Sequence, residues 1–298
     1  MTLLLSTAKI TFIGAGSMAE AILRGLIERN ATLPEQLYVM NRSNVQRLDE
    51  LKQRYLVHTV SLASASTPPE ASANADLQKK SFVQQADVVV LCMKPKDTLS
   101  ALNELCSWLQ PHQCIISVVA GLSIQTIASF FPHPMPIVRT MPNTSSAIGL
   151  GATGVSFGSH TSDAHKQLAT AMCEAIGTVT IVEEHLLDVV TGLSGSGPAY
   201  VYYFMEAMIQ AGIDGGLTAE QARQLTVQTF LGASHMVHQT NEEPDMLRKK
   251  VTSPNGTTQA AIALMEQQQV AQSIMQAVFA SVHRSKEMGQ QLSDMQIK

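Results

Sequence analysis

The sequence predicts an α/β protein built as a parallel-sheet domain followed by a mainly helical one. Three observations predict it. Short apolar β runs alternate with stretches of helical periodicity up to about residue 160. The first of those runs ends in a glycine-rich turn that opens a helix. Beyond about residue 160 the β runs nearly cease. The expected division is therefore residues 1–160 for the sheet domain and 161–298 for the helical one.

Lys9 to Ile13 is a short β run, and Met18 to Glu28 follows it with helical spacing. Leu37 to Met40 predicts a second strand, with a helix from Val45 to Tyr55. Val88 to Cys92 is an apolar strand, Thr98 to Leu109 a helix, and Cys114 to Val118 another strand. These strands are continuously apolar rather than alternating, as in a parallel sheet covered on both faces. Ser61 to Ser81 is small and polar with adjacent prolines, and predicts a surface excursion, mobile at its centre and without chemistry. A helix over Asp163–Ile176 and a β run over Thr178–Val182 come next. Helices are then expected at Pro198–Gly212, Thr218–Gln239, Thr258–Glu266 and Ala271–Met288. Thr218 with Gln221 forms a capping-box pattern. The helix from Pro198 is apolar on most sides (Val201, Tyr202, Tyr203, Phe204, Met205), so it must be enclosed, and a second copy would enclose it most completely.

Composition narrows the function. The chain has 298 residues, 45% hydrophobic and 15% charged, which suits two globular domains. Its net charge is −4, with no basic block, which argues against nucleic acid or a membrane surface as partner. Aromatic residues make up 5%, too few for base-stacking platforms. The four cysteines are scattered, as expected of thiols in a reducing compartment. Met1 to Ala8 lacks a basic region and is too short for a secretion signal, and no run approaches the ~20 apolar residues needed to span a bilayer. A cytoplasmic protein is expected.

Gly14-Ala15-Gly16-Ser17-Met18-Ala19 stands at the end of the first strand. The first glycine permits the tight turn, the second lets the backbone approach a pyrophosphate, and Ala19 takes the place reserved for close helix–strand packing. This is the fingerprint of a dinucleotide site. The second strand ends in Met40-Asn41-Arg42-Ser43, without the carboxylate that usually holds the ribose 2′-hydroxyl of NAD. Neutral and cationic donors there suit a 2′-phosphate, so NADPH is the favoured cofactor and NADH a possible one. Met93-Lys94-Pro95 and Ala120-Gly121 fall at the carboxyl ends of later strands, where ligands bind in open α/β sheets.

A second anion-binding junction lies near the other end: Val251-Thr252-Ser253-Pro254-Asn255-Gly256-Thr257-Thr258, just before an apolar helical run. The first amides of a helix lack partners and carry the positive end of the dipole, so this bend suits a carboxylate. An ordinary helix cap at Ser253 or Thr257 would explain the same residues. Between Lys166 and Lys249 there is no lysine. After Gly195-Ser196-Gly197 the chain offers Pro198, Ala199, Tyr200 and Val201, so the lysine acid/base that serves β-hydroxyacid dehydrogenases on such a helix is missing. Alcohol oxidation needs that group. Hydride delivery to a C=N bond needs less, because a protonated imine already carries its proton. His235 and His238 lie three apart on one helix but lack an obvious third ligand, so no metal site is expected.

Together these motifs resemble the pyrroline-5-carboxylate reductase family over nearly the whole chain. The resemblance also rests on Ser117–Gly121, Arg139-Thr140-Met141-Pro142-Asn143-Thr144 and Thr191–Tyr200. It implies reduction of Δ1-pyrroline-5-carboxylate to L-proline with NADPH or NADH, in proline biosynthesis. It implies a Rossmann-type domain followed by an all-helical dimerisation domain, with homodimers that can build higher oligomers. By resemblance, Thr258 is the catalytic residue, its hydroxyl facing the substrate nitrogen. Ser253, Asn255, Gly256, Thr257 and Thr258 would hold the carboxylate, partly in the neighbouring subunit. Gly14 to Met18, Asn41, Arg42, Met93 to Pro95, Ala120 and Gly121 would hold the cofactor. A reductase of another cyclic imino acid, or a paralogue that binds nucleotide without turnover, would share most of these features. Three departures from the family pattern stand out: the long Ser61–Ser81 segment, Asn255 in place of the first glycine of a Gly-Gly pair, and Lys250 where an asparagine near the cofactor is expected.

Overall fold

The computed structural model of the chain describes residues 5–42, 44–61 and 69–296. It contains two compact units, one running to Gly195 and resuming at Ser281, the other spanning Ser196–Ala280.

The first unit is built on an eight-stranded sheet. In chain order its elements are β1 (Ile10–Ile13), α1 (Ser17–Glu28), β2 (Leu37–Asn41), α2 (Val45–Tyr55), β3 (His58–Ser61), α3 (Pro69–Gln84), β4 (Val88–Leu91), α4 (Pro95–Leu105), β5 (Cys114–Ser117), α5 (Ile124–Ala128), β6 (Ile137–Met141), β7 (Gly151–Phe157), α6 (Asp163–Glu174), β8 (Gly177–Ile181) and α7 (Leu187–Val190). The strand order is β3-β2-β1-β4-β5-β6-β7-β8, parallel except where β7 runs against β6. The chain lays β2 and β3 on one side of β1 and then crosses to β4 on the other. The crevice beyond the carboxyl ends of β1 and β4 is therefore the switch point at which such sheets bind ligands.

Burial explains why these strands read as continuous apolar runs. Every residue of β1, β4 and β5 is buried. Ile10 and Phe12 face one core with Ile22 and Leu26 of α1, while Ile13, Val89 and Leu91 face a second core with Met40 and Leu102. The buried positions of α1 (Ala19, Ile22, Leu23, Leu26) recur every three or four residues and form the stripe that seats it on the sheet.

The sheet continues past the expected boundary at residue 160. β8 pairs in parallel with β7, and Leu168 and Met172 of α6 join the first core, so the first unit runs to Gly195. The sequence reading also lacked β3, β6 and β7. β3 is short and polar, β6 carries the buried Arg139, and β7 contains two glycines, so none is a plain apolar run. Residues 62–68 of the expected surface excursion lie outside the described residues, but its second half is helix α3, not a loop. Proline at the first helical position is compatible with a helix start, and Phe82 and Val83 anchor the far end of α3 in the second core.

The second unit contains α8 (Gly197–Asp214), α9 (Ala219–Thr240), α10 (Pro244–Lys250), α11 (Thr257–Gln267) and the first part of α12 (Val270–Gln296). The capping box of Thr218 and Gln221 is present at the start of α9. Helices α8 and α9 approach closely at Gly212, where an added Cβ would lie 3.0 Å from that of Ala222. Little else is enclosed. No residue of α8 is buried, and Tyr203 and Phe279 are 73% and 66% exposed.

Candidate active site

The β1–α1 junction is a backbone cradle. Gly14 has φ +116°, and its N–H donates to the Met40 carbonyl at 2.8 Å. A Cβ there would sit 2.6 Å from the Cys92 carbonyl oxygen, so both conformation and space demand glycine. Gly16 is different. It is exposed, and an added Cβ would find nothing nearer than 4.0 Å. The fold does not require glycine at that position; the bare surface is left for something that approaches from outside. Gly16 is also the N-cap of α1, and no side chain caps that helix. A bare glycine beside uncapped helix amides fits the pyrophosphate of a dinucleotide.

The neighbouring strand ends supply the rest of the crevice. Cys92 N–H donates to the Ile13 carbonyl at 2.9 Å, which brings the Met93-Lys94-Pro95 turn beside Gly14. Lys94 is exposed as the N-cap of α4, and Pro95 takes the first helical position. At the end of β2 the Asn41 side chain accepts from the Arg42 N–H at 2.8 Å. The exposed Arg42 guanidinium lies 3.7 Å from Asp97 of α4. Ser43 lies outside the described residues. Gly14 to Met18, Asn41, Arg42 and Met93 to Pro95 are thus gathered at the carboxyl edge of three adjacent strands. Ala120 is half-buried in the turn after β5, and Gly121 is buried at φ +76°. A Cβ on Gly121 would meet the Gly289 nitrogen of α12 at 3.0 Å, so its bare backbone admits that helix.

The sequence reading missed one group of residues here. Arg47 of α2 donates from Nε to the Ala15 carbonyl at 3.1 Å and from Nη1 to Glu50 at 3.2 Å. Its Nη2 is ion-paired with Glu20 of α1. Glu20 also accepts from Arg54 at 2.9 Å and from the Tyr55 hydroxyl at 3.0 Å. Burial alone would raise the Glu20 carboxyl, but the bonds from Arg47 and Tyr55 outweigh it and hold the group below its ordinary value. The bond to Glu20 in turn raises the Arg47 guanidinium. Residues 20 and 47 share no local spacing, so only the fold reveals the pair.

In the second unit the bend before α11 has its own internal order. Asn255 adopts φ +57°, a left-handed conformation that asparagine tolerates better than most residues. Its N–H donates to the Gln259 side chain at 2.5 Å, and Gly256 N–H donates to the Ser253 carbonyl at 3.1 Å. The N-cap of α11 is Gly256, and it makes no side-chain cap bond, so neither Ser253 nor Thr257 acts as an ordinary cap. The amides that open α11 therefore have no side-chain cap. Thr258, in that first turn, is half-buried, whereas Ser253, Asn255 and Thr257 are exposed. Lys250 ends α10 and is ion-paired with Glu242. His235 and His238 are exposed on α9, and among the described residues no three His, Cys, Asp or Glu side chains cluster as metal ligands. No helix among them is long and apolar enough to cross a membrane.

Both junctions fall within segments that match known family models. Residues 9–121 match the family model described as NADP oxidoreductase, coenzyme F420-dependent, and residues 184–288 match that of pyrroline-5-carboxylate reductase dimerisation. The chain is 39% identical to pyrroline-5-carboxylate reductase 1 of Bacillus subtilis, over 95% of this chain and 90% of that protein. It is 34% identical to the Arabidopsis thaliana pyrroline-5-carboxylate reductase, over 95% and 96% of the two. Among solved structures it is similar to the pyrroline-5-carboxylate reductase of Coxiella burnetii, with a TM-score of 0.83 and 36% identity over 95% and 98% of the two chains. The Plasmodium falciparum pyrroline carboxylate reductase with NADP bound gives a TM-score of 0.81 and 26% identity over 95% and 99%.

Proposed function

The chain belongs to the pyrroline-5-carboxylate reductase family, and we propose that it reduces Δ1-pyrroline-5-carboxylate to L-proline with NADPH as the preferred reductant and NADH as a slower one. The observation that carries the mechanism is the N-terminus of α11: helix amides without a side-chain cap, with the half-buried Thr258 hydroxyl in the same turn. The amides opening α11 and the Ser253–Thr258 bend hold the substrate carboxylate. The Thr258 hydroxyl oxygen accepts from the iminium N–H, which orients the C=N bond, and its O–H donates to the lone pair that appears on the ring nitrogen as it becomes an amine. Bound nicotinamide supplies the hydride. The chain need not supply a strong acid, because the protonated imine is already electrophilic. This fits the absence of lysine from Gln167 to Arg248. The Gly14–Met18 cradle takes the pyrophosphate, with Lys94 at its side, and Asn41 and Arg42 take the ribose 2′-phosphate.

The exposed apolar residues of the second unit support a further part of the reading: α8 and its neighbouring helices form a homodimer surface. The match of residues 184–288 to a dimerisation family points the same way. The four free thiols suit a cytoplasmic setting.

The deciding assay is NADPH oxidation by purified protein with and without pyrroline-5-carboxylate, repeated with the six-membered cyclic imino acid. Oxidation dependent on the five-membered ring supports the proposal. Preference for the six-membered ring would reassign the substrate, and NADPH binding without turnover would make the chain a non-catalytic relative.

A further inference from the structure

Arg47 lies outside the dinucleotide fingerprint and at no strand end, yet it touches the glycine turn, α1 and its own helix at once. One guanidinium edge holds the Ala15 carbonyl at 3.1 Å and another holds Glu20. The side chains of Arg47 and Glu20 are 23% and 21% exposed, so the pair is far better shielded from water than Arg42 with Asp97, at 75% and 41%. Glu20 has two further donors, Arg54 and Tyr55, both from the last turn of α2. The whole length of α2 is thereby clamped to the first turns of α1.

The placement matters for cofactor binding in two ways. Helix α2 begins just after Asn41 and Arg42, while Ala15 lies in the pyrophosphate turn. The clamp therefore fixes the distance between the turn that takes the pyrophosphate and the strand end that takes the adenosine ribose. Glu20 also lies one turn from Gly16, where its N–H donates to the Gly16 carbonyl at 3.0 Å. A bare carboxylate so close to an anion-binding helix end would repel a pyrophosphate. Arg47 offsets that charge.

We propose that Arg47 is a cofactor-positioning residue, which preforms the Gly14–Gly16 turn through Ala15 and neutralises Glu20 one helical turn beyond it. It acts on the part common to both nucleotides, unlike Arg42, whose proposed contact is the 2′-phosphate alone. The proposal rests on the reading of the glycine turn as the pyrophosphate site.

The test uses the full-length protein and its Arg47→Ala and Arg47→Lys variants. KM for NADPH, KM for NADH, KM for the imino acid, kcat and direct binding of each nucleotide are measured. Arg47→Ala is expected to raise both nucleotide KM values about tenfold while kcat and the imino-acid KM stay within about twofold, a split that marks lost uniform binding. Arg47→Lys, which keeps the charge but not the fork, is expected to fall between, and it carries the test if the alanine variant does not fold. A lower melting temperature with unchanged nucleotide KM would overturn the proposal in favour of a purely structural clamp. A rise confined to NADPH would overturn it in favour of a phosphate ligand. If the unaltered protein bound neither nucleotide, the site assignment would fail instead, before any variant was compared.

Discussion

Of the loop-to-helix junctions that lack a side-chain cap, those that open α1 and α11 are built in opposite ways. The β1–α1 junction is sealed from behind: Gly14 has backbone against it, and Ala15 and Glu20 are held by Arg47. The junction before α11 is held by its own short-range bonds (Asn255 to Gln259, Gly256 to Ser253), and most of its residues are exposed. The first is rigid because the core and α2 over-determine it. The second is ordered by its own short-range bonds and open to solvent. Under the proposed function the sealed junction takes the cofactor and the open bend takes the imino acid.

The comparison yields experiments of decreasing size. Thr258→Ala should lower turnover by roughly 10- to 1000-fold, the range for losing a positioned donor, with nucleotide binding nearly unchanged. A loss under about twofold in steady-state turnover would remove Thr258 from the mechanism. Alanine at the glycines should separate the junctions by stability. Gly14→Ala meets immovable backbone and a strained φ, and should cost about 3 kcal/mol in denaturant unfolding. Gly256→Ala meets chiefly the Ser253 hydroxyl, which can rotate away. It should cost within about 1 kcal/mol while raising the imino-acid KM. Equal destabilisation by the two would erase the contrast.

Arg42→Ala should raise the NADPH KM about tenfold and leave NADH nearly untouched, because only NADPH carries the 2′-phosphate. Equal effects on both would refute that role. The smallest effect is a pH dependence. The folded Glu20 carboxyl titrates below its ordinary value of 4.5, so its contribution to stability is present above that value and is lost as pH falls through the folded pKa. Urea unfolding should show Glu20→Gln less stable than the unaltered protein at pH 7, with the gap closing below pH 4.5. A gap that widened in acid would contradict the clamp.

Much of this was legible in the sequence, for reasons the structure makes plain. Gly14-Ala15-Gly16 could be read because the turn imposes glycine at its first position and the dinucleotide fingerprint sets the second. β1, β4 and β5 could be read because burial on both faces leaves unbroken apolar runs. β6 could not, since Arg139 at its centre is buried through pairing with Glu184 at 3.3 Å, a partner far along the chain. Helix α3 was hidden because its first residues are small and polar and its anchors, Phe82 and Val83, come at the far end. The reason for glycine at position 121 was likewise beyond reach. It depends on Gly289, brought to it only by the fold. At the bend, Asn255 was legible as a left-handed residue from its type, whereas the missing cap on α11 was not. Ser253 and Thr257 offered hydroxyls that the backbone leaves unused for capping.

In the proposed mechanism the helix amides at α11, with Thr258, grip the acid group of a ring that needs no strong proton donor. The decisive measurement is a crystal structure with NADP and L-proline. The expected result is the proline carboxylate on the backbone N–H groups of Gly256 to Thr258, with the Thr258 hydroxyl toward the ring nitrogen. Proline bound away from that bend, with those amides facing only solvent, would contradict it.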